Sequence, residues 1–118
     1  MDRPQWVTNE GEWLKDCQEV VRVSRGVLEG SIELTQDVRS LFHLQFPLRA
    51  ERDSDFLTIT GVYSDTDSFP LGEHRARWQP SALARVDRER QEIEARWRAE
   101  VEAACHRLIQ KYQGAHDA

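Results

Sequence analysis

The last third of the chain, Pro80 to Gln113, constrains the fold more than any other stretch. Its apolar residues Leu83, Val86, Ile93, Trp97, Val101, Ala104, Leu108 and Tyr112 recur three or four apart. That spacing stacks side chains on one face and predicts one long amphipathic helix. Pro80 suits the first helical position, where its missing N–H has no partner to lose, and Gly114 follows the last periodic residue, where a left-handed residue can close the helix. His106, Arg107 and Lys111 fall near the negative end of the macrodipole. About 34 residues rising about 1.5 Å each make a rod of about 50 Å. In a chain of 118 residues, the other segments must pack along it.

The first half supplies partners for that rod. Pro4, Trp6 and Val7 suggest an extended lead-in whose Trp packs on the first helix. Asn9 followed by Glu12 has the form of a capping box, so a helix is expected to start there. From Trp13 the apolar positions Cys17, Val20, Val21, Val27 and Leu28 keep helical spacing, and the phase continues through Ile32, Thr35, Val38, Leu41, Phe42 and Phe46. The pattern fits one long helix over about residues 10–45, or two helices broken near Gly30-Ser31. Gly26 and Gly30 each cost about 1 kcal/mol relative to Ala inside a helix, and Ser31 can cap a second helix. Pro47 ends the segment.

Phe56 to Tyr63 is the one β-branched, strand-like run. A strand needs a neighbour, and the chain offers no second candidate. The preferred reading is therefore a short helix capped by Asp53 or Ser54 that buries Phe56, Ile59 and Tyr63. A strand paired with a symmetry mate, or an extended segment, is the alternative. Residues 64–79 read as a long connection pinned by Phe69, Leu71 and Trp78. On the last helix Arg85, Arg88, Glu92, Glu94 and Arg98 each have an opposite charge four residues on, the pattern of a solvated face. Arg90 falls inside the apolar stripe. The expected architecture is an all-α, three- or four-helix antiparallel bundle with a long C-terminal helix. It forms a single domain over 1–118, with a core from about 6 to 113 and a fraying tail from Gly114 onward.

Composition limits function. A net charge of -5 argues against broad attraction to nucleic acid or anionic lipid. No apolar run approaches a membrane span and no signal pattern opens the chain, so a cytoplasmic protein is expected. Residues 50–73 hold 1 basic and 6 acidic side chains, which marks this segment as the place where a basic protein partner would be recognised. Two long apolar stripes also predict a homodimer.

Residue spacing bears on several chemistries. Asp65 and Asp67 begin like a calcium loop, but Pro70 and Ala76 stand where glycine and glutamate are required. Glu102 and His106 are four apart, not the three of a di-metal carboxylate site. Asp16 with Glu19 and Glu89 with Glu92 are helical carboxylate pairs of the kind a divalent-metal hydrolase uses, the latter interleaved with arginines. Cys17 and Cys105 have no local base, and two buried free thiols are expected. No cofactor is implied. The most site-like cluster is His74, Arg75, Arg77 and Trp78, which together can grip an anion or a flat ring. In the structural alternative Arg75 or Arg77 pairs with Asp65 or Asp67, and Trp78 is core. The candidate binding residues are thus Asp65, Asp67, His74, Arg75, Arg77 and Trp78. Three functions follow in order: a non-enzymatic interaction module of toxin-immunity or regulatory type, a helical metal hydrolase, and a small-ligand or anion sensor.

The run Ser64-Asp65-Thr66-Asp67-Ser68-Phe69-Pro70-Leu71-Gly72, with Arg75, Trp78, Pro80, Ala82-Leu83 and Cys105 on the following helix, resembles an uncharacterised family of small bacterial proteins, a domain of unknown function. The resemblance implies a bacterial, self-contained domain and carries no activity or catalytic residue.

Overall fold

In a computed structural model that describes residues 1–31 and 33–115, four α-helices and one short 3-10 helix form an all-α bundle. Ile32, one of the apolar positions named above, and the last three residues of the expected tail lie outside the described residues. The helices are α1 (Glu10–Leu28), α2 (Leu34–Leu44), α3 (Ser54–Thr66) and α4 (Pro80–Tyr112), with the 3-10 helix Gly72–Arg77 between the last two. Each helix packs against the next and α4 closes on α1, leaving α2 and α4 as the diagonal pair. The direction alternates. Arg39 and Phe42 of α2, and Gln45 just after it, meet Thr66, Tyr63 and Thr60 of α3 in descending order, and Asp55 and Asp65 of α3 meet Arg107 and Trp97 of α4 in the same way.

The choice between one long first helix and two is decided by Gly30. It adopts φ +90, which only glycine takes without steric cost. Its N–H bonds to the Val27 carbonyl and the Ser31 N–H to the Gly26 carbonyl, the paired bonds of a Schellman stop. α1 ends and the chain folds back. At its other end Asn9 caps α1 by accepting from the Glu12 N–H at 3.1 Å. The strand-like run is helical, as the absence of a partner strand required. Asp53 caps α3, accepting from the Asp55 and Phe56 N–H groups at 2.8 and 3.2 Å. Phe56, Ile59 and Val62 are buried, while Tyr63 is half-buried and stacks on Phe42 with ring centroids 3.7 Å apart. Such pairs contribute about 0.5–1.5 kcal/mol beyond the area they bury.

The core joins Cys17, Val20, Val27, Leu34, Leu41, Phe56, Ile59, Val101 and Leu108, all fully buried. Each large aliphatic or aromatic side chain removed from water in this way contributes about 1.5–3 kcal/mol. α4 spans nearly the whole 53 Å length of the molecule. Its second half lies in the groove between α1 and α3; its first half overhangs and carries only Val86 as a buried apolar residue. Two expectations about its ends change. Gly114 stays out of the left-handed region, and α4 instead closes through the Gln113 N–H on the Ile109 carbonyl. Of the surface pairs, Arg98–Glu102 forms at 3.9 Å, whereas Glu94 turns inward.

Two helix ends lack a local cap and are closed from afar. Glu33, the residue that precedes α2, makes no side-chain capping bond. Glu94 of α4 does so in its place, accepting from the Thr35 N–H at 3.1 Å and the Thr35 hydroxyl at 2.7 Å. The last turn of α3 has no basic residue. Arg39 of α2 supplies one, its Nη2 donating to the Thr66 and Phe69 carbonyls at 3.0 and 2.7 Å. In each case the charge opposes the local end of the helix dipole.

Candidate functional site

The six residues singled out in the sequence fall into two groups. Asp65 and Asp67 sit at the C-terminal end of α3; His74, Arg75 and Arg77 ride on the 3-10 helix, and Trp78 follows it. Asp65 accepts from the Trp97 indole N–H at 2.9 Å, which ties α3 to α4. The Asp67 side chain is exposed and its carbonyl accepts from Arg39 at 3.4 Å.

Arg75 and Arg77 do not pair with these aspartates. The 3-10 turn directs the segment onto the first turns of α4, where Arg75 meets Asp87 through two parallel bonds, Nη1–Oδ1 at 2.7 Å and Nη2–Oδ2 at 2.8 Å. The Arg75 guanidinium, assisted by Arg90 and opposed by burial, holds the Asp87 carboxyl below the usual carboxylate range. Trp78 is not core either; it keeps 38% of its surface exposed because the bundle has already ended where α4 overhangs. Arg90, the charge inside the apolar stripe, has partners. It donates to both Glu94 oxygens at 3.1 Å and lies 3.7 Å from Asp87. A continuous chain of charge runs from Arg75 through Asp87 and Arg90 to Glu94, which accepts from Thr35.

Beside this chain lies a cleft of about 410 Å³ between α2 and the 3-10 helix, lined by Gln36, Arg39, Ser40, His43, Glu73 and His74. Of these, His74 alone is among the candidate residues legible in the sequence. Gln36, Arg39, Ser40 and His43 share one face of α2 by their spacing, but nothing in the sequence showed that His74 would face them. Among the described residues no carboxylate pairs with Arg39; its bonds go to carbonyls.

Half of the acidic side chains of residues 50–73 are engaged within the fold, Asp65 by Trp97 as above. Asp53 caps α3 and pairs with Lys111, and Asp55 pairs with Arg107 at 2.8 Å. Burial pushes both thiols, Cys17 and Cys105, up to about 11, so neither presents a thiolate at neutral pH. Cys105 is buried and the adjacent His106 exposed, as their 100° separation around the helix required. Among the described residues no three His, Cys, Asp or Glu side chains converge as a metal ligand set, and no helix is long and apolar enough to cross a membrane. What the region offers is fixed hydrogen-bonding and cationic groups. No family model, curated protein or solved structure matches the chain.

Proposed function

We propose that the chain is a non-enzymatic protein-interaction module that presents the 3-10 helix and the overhanging start of α4 to its partner. The observation that carries this reading is the two-bond Arg75–Asp87 clamp. It fixes the segment while Arg77 and Trp78 remain turned to solvent. Arg and Trp are enriched among residues that dominate binding energy, and a surface ordered beforehand loses less entropy on association. A toxin-neutralising or regulatory role falls within this reading, as does the bacterial setting implied by the resemblance. A metal-hydrolase reading has less support, since Asp65 is already bonded to Trp97.

The test is affinity capture with the wild-type chain and the Arg77→Ala/Trp78→Ala double variant, with thermal melting as the control for folding. A partner held near stoichiometry by the wild type and lost by the equally stable variant supports the proposal. Equal capture by both, or no partner in either, sinks it. Light-scattering mass measurement on the same samples separates a foreign partner from a second copy of the chain, the homodimer expected from the apolar stripes. A second reading, a small-anion sensor, is favoured by one observation: the Arg39 charge beside His43 and His74 is met by carbonyls alone. Stabilisation by inorganic phosphate that disappears in His43→Ala/His74→Ala would select it.

A further inference from the structure

At the opposite end of α4, where the lead-in and the α2–α3 connection meet the start of α1, lies a concavity of about 310 Å³. Trp6, Trp13, Phe46 and Pro47 form its apolar walls, and Glu12 and Asp16, one turn apart on α1, stand at its edge. Phe46 keeps 52% of its surface exposed and adds an apolar face to this concavity. Neither carboxylate is reached by an ion pair or a side-chain hydrogen bond among the described residues. Burial, followed by repulsion from Glu12, pushes the Asp16 carboxyl above its ordinary value, with Lys15 opposing and Glu19 adding to it. Two carboxylates with no bonded counter-ion thus share the lining with the aromatic rings.

One cation is already there. The guanidinium of Arg49 lies 4.6 Å from the centre of the Trp6 ring. Arg49 takes this position from a backbone with φ +50, a region side-chain-bearing residues rarely occupy. Aromatic faces attract cations through their quadrupole, and adjacent carboxylates add charge and hydrogen-bond acceptors for a guanidinium.

We propose that this pocket receives an arginine side chain from a partner polypeptide, and that Arg49 is a built-in competitor that the incoming guanidinium displaces from Trp6. The site goes beyond the surface proposed above, because it lies at the other end of the molecule and names the chemistry of its ligand. It also gives the overall acidity of the chain a place to act. Glu12 and Asp16 supply the charge, the indoles clasp the alkyl stem and planar head, and Arg49 sets the affinity threshold.

The experiment uses N-acetyl-arginine amide as probe and its neutral isostere N-acetyl-citrulline amide as control. The readout is the indole N–H resonances in two-dimensional NMR of the intact chain. Arginine amide is expected to shift the Trp6 and Trp13 signals and leave that of Trp78 in place, while citrulline amide shifts none. Arg49→Ala is expected to tighten binding about threefold to tenfold, as removal of a competitor does, and Glu12→Gln/Asp16→Asn to weaken it about tenfold or more. The amide pair keeps surface shape, and far-UV circular dichroism verifies the helix content of both variants. Equal shifts with citrulline, undiminished binding in the amide variant, or no response in either the wild type or Arg49→Ala overturns the proposal. Weaker binding in Arg49→Ala overturns the competitor role. None of these outcomes depends on Arg77 or Trp78, so the two surfaces succeed or fail separately.

Discussion

Replacing Glu94 with Ala tests the idea that one buried side chain holds three parts of the bundle together. Glu94 is 7% exposed, closes the amide end of α2 through Thr35 and holds Arg90 through both oxygens. Loss of a helix cap costs about 1 kcal/mol. Stranding the two Thr35 donors away from water adds about 1–3 kcal/mol. Arg90 retains Asp87 at 3.7 Å, so the full cost of orphaning a buried charge does not apply. The expected loss is about 3 kcal/mol, which at about 2.1 cal/mol/K per residue lowers Tm by about 12 °C. Glu94→Gln keeps an acceptor for Thr35 and forfeits the charge, so about 1 kcal/mol is expected. Thr35→Val placed on Glu94→Ala should restore part of the loss by removing the stranded hydroxyl. Urea unfolding followed by circular dichroism at constant m measures all three. The reasoning fails if Ala costs less than about 1 kcal/mol, or if Gln and Ala are equally harmful.

Three further outcomes follow from the geometry. Burial raises the Asp53 carboxyl, but the Lys111 bond and the Asp55 and Phe56 N–H groups outweigh it, so its folded value lies below the ordinary 3.8. A depressed acid stabilises the fold above its unfolded value, so the Asp53 contribution should hold from neutral pH down to about 4 and fade below it; a wild-type minus Asp53→Asn difference that grows on acidification would contradict this. Asp37 shows the reverse sign: burial raises it and its Oδ2 has no partner, so Asp37→Asn should stabilise the chain at pH 7, with the gain vanishing once acid protonates the native residue in both states. A Cβ on Gly61 would meet Trp97 Cη2 at 3.2 Å, and that indole is tethered to Asp65. The helix-propensity gain of about 1 kcal/mol for Gly61→Ala should therefore be cancelled in the wild type and recovered in an Asp65→Ala background, as a double-mutant cycle would reveal.

The sequence disclosed what depends on near neighbours. The α4 stripe, Pro80 at its start, Asn9 before α1 and Asp53 before α3 are signals carried within a few residues, and each corresponds to an observed feature. Gly30 was visible as a candidate break, yet apolar phase ran through it, because a Schellman stop reverses the chain without disturbing the spacing of the stripe. The misread contacts were those that depend on tertiary direction. Asp65 and Arg75 are near in sequence, but the 3-10 helix points the arginine toward Asp87 and leaves the aspartate to Trp97. Trp78 reads as a binding residue or, in the structural alternative, as core; its exposure follows from the overhang of α4, a property of relative helix lengths. The caps supplied by Glu94 and Arg39 span 59 and 27 residues, and no local pattern announces them. The Trp6 pocket likewise assembles from three separate segments.

Those distant caps bear on how the chain is made. While it is being synthesised, α1 to α3 emerge from the ribosome before α4, with the amide end of α2 open and an apolar trough where the last helix belongs. Only when Glu94 and the residues after it arrive can that half-built piece seal. Until then, the nascent protein is a substrate for whatever chaperones or proteases attend it.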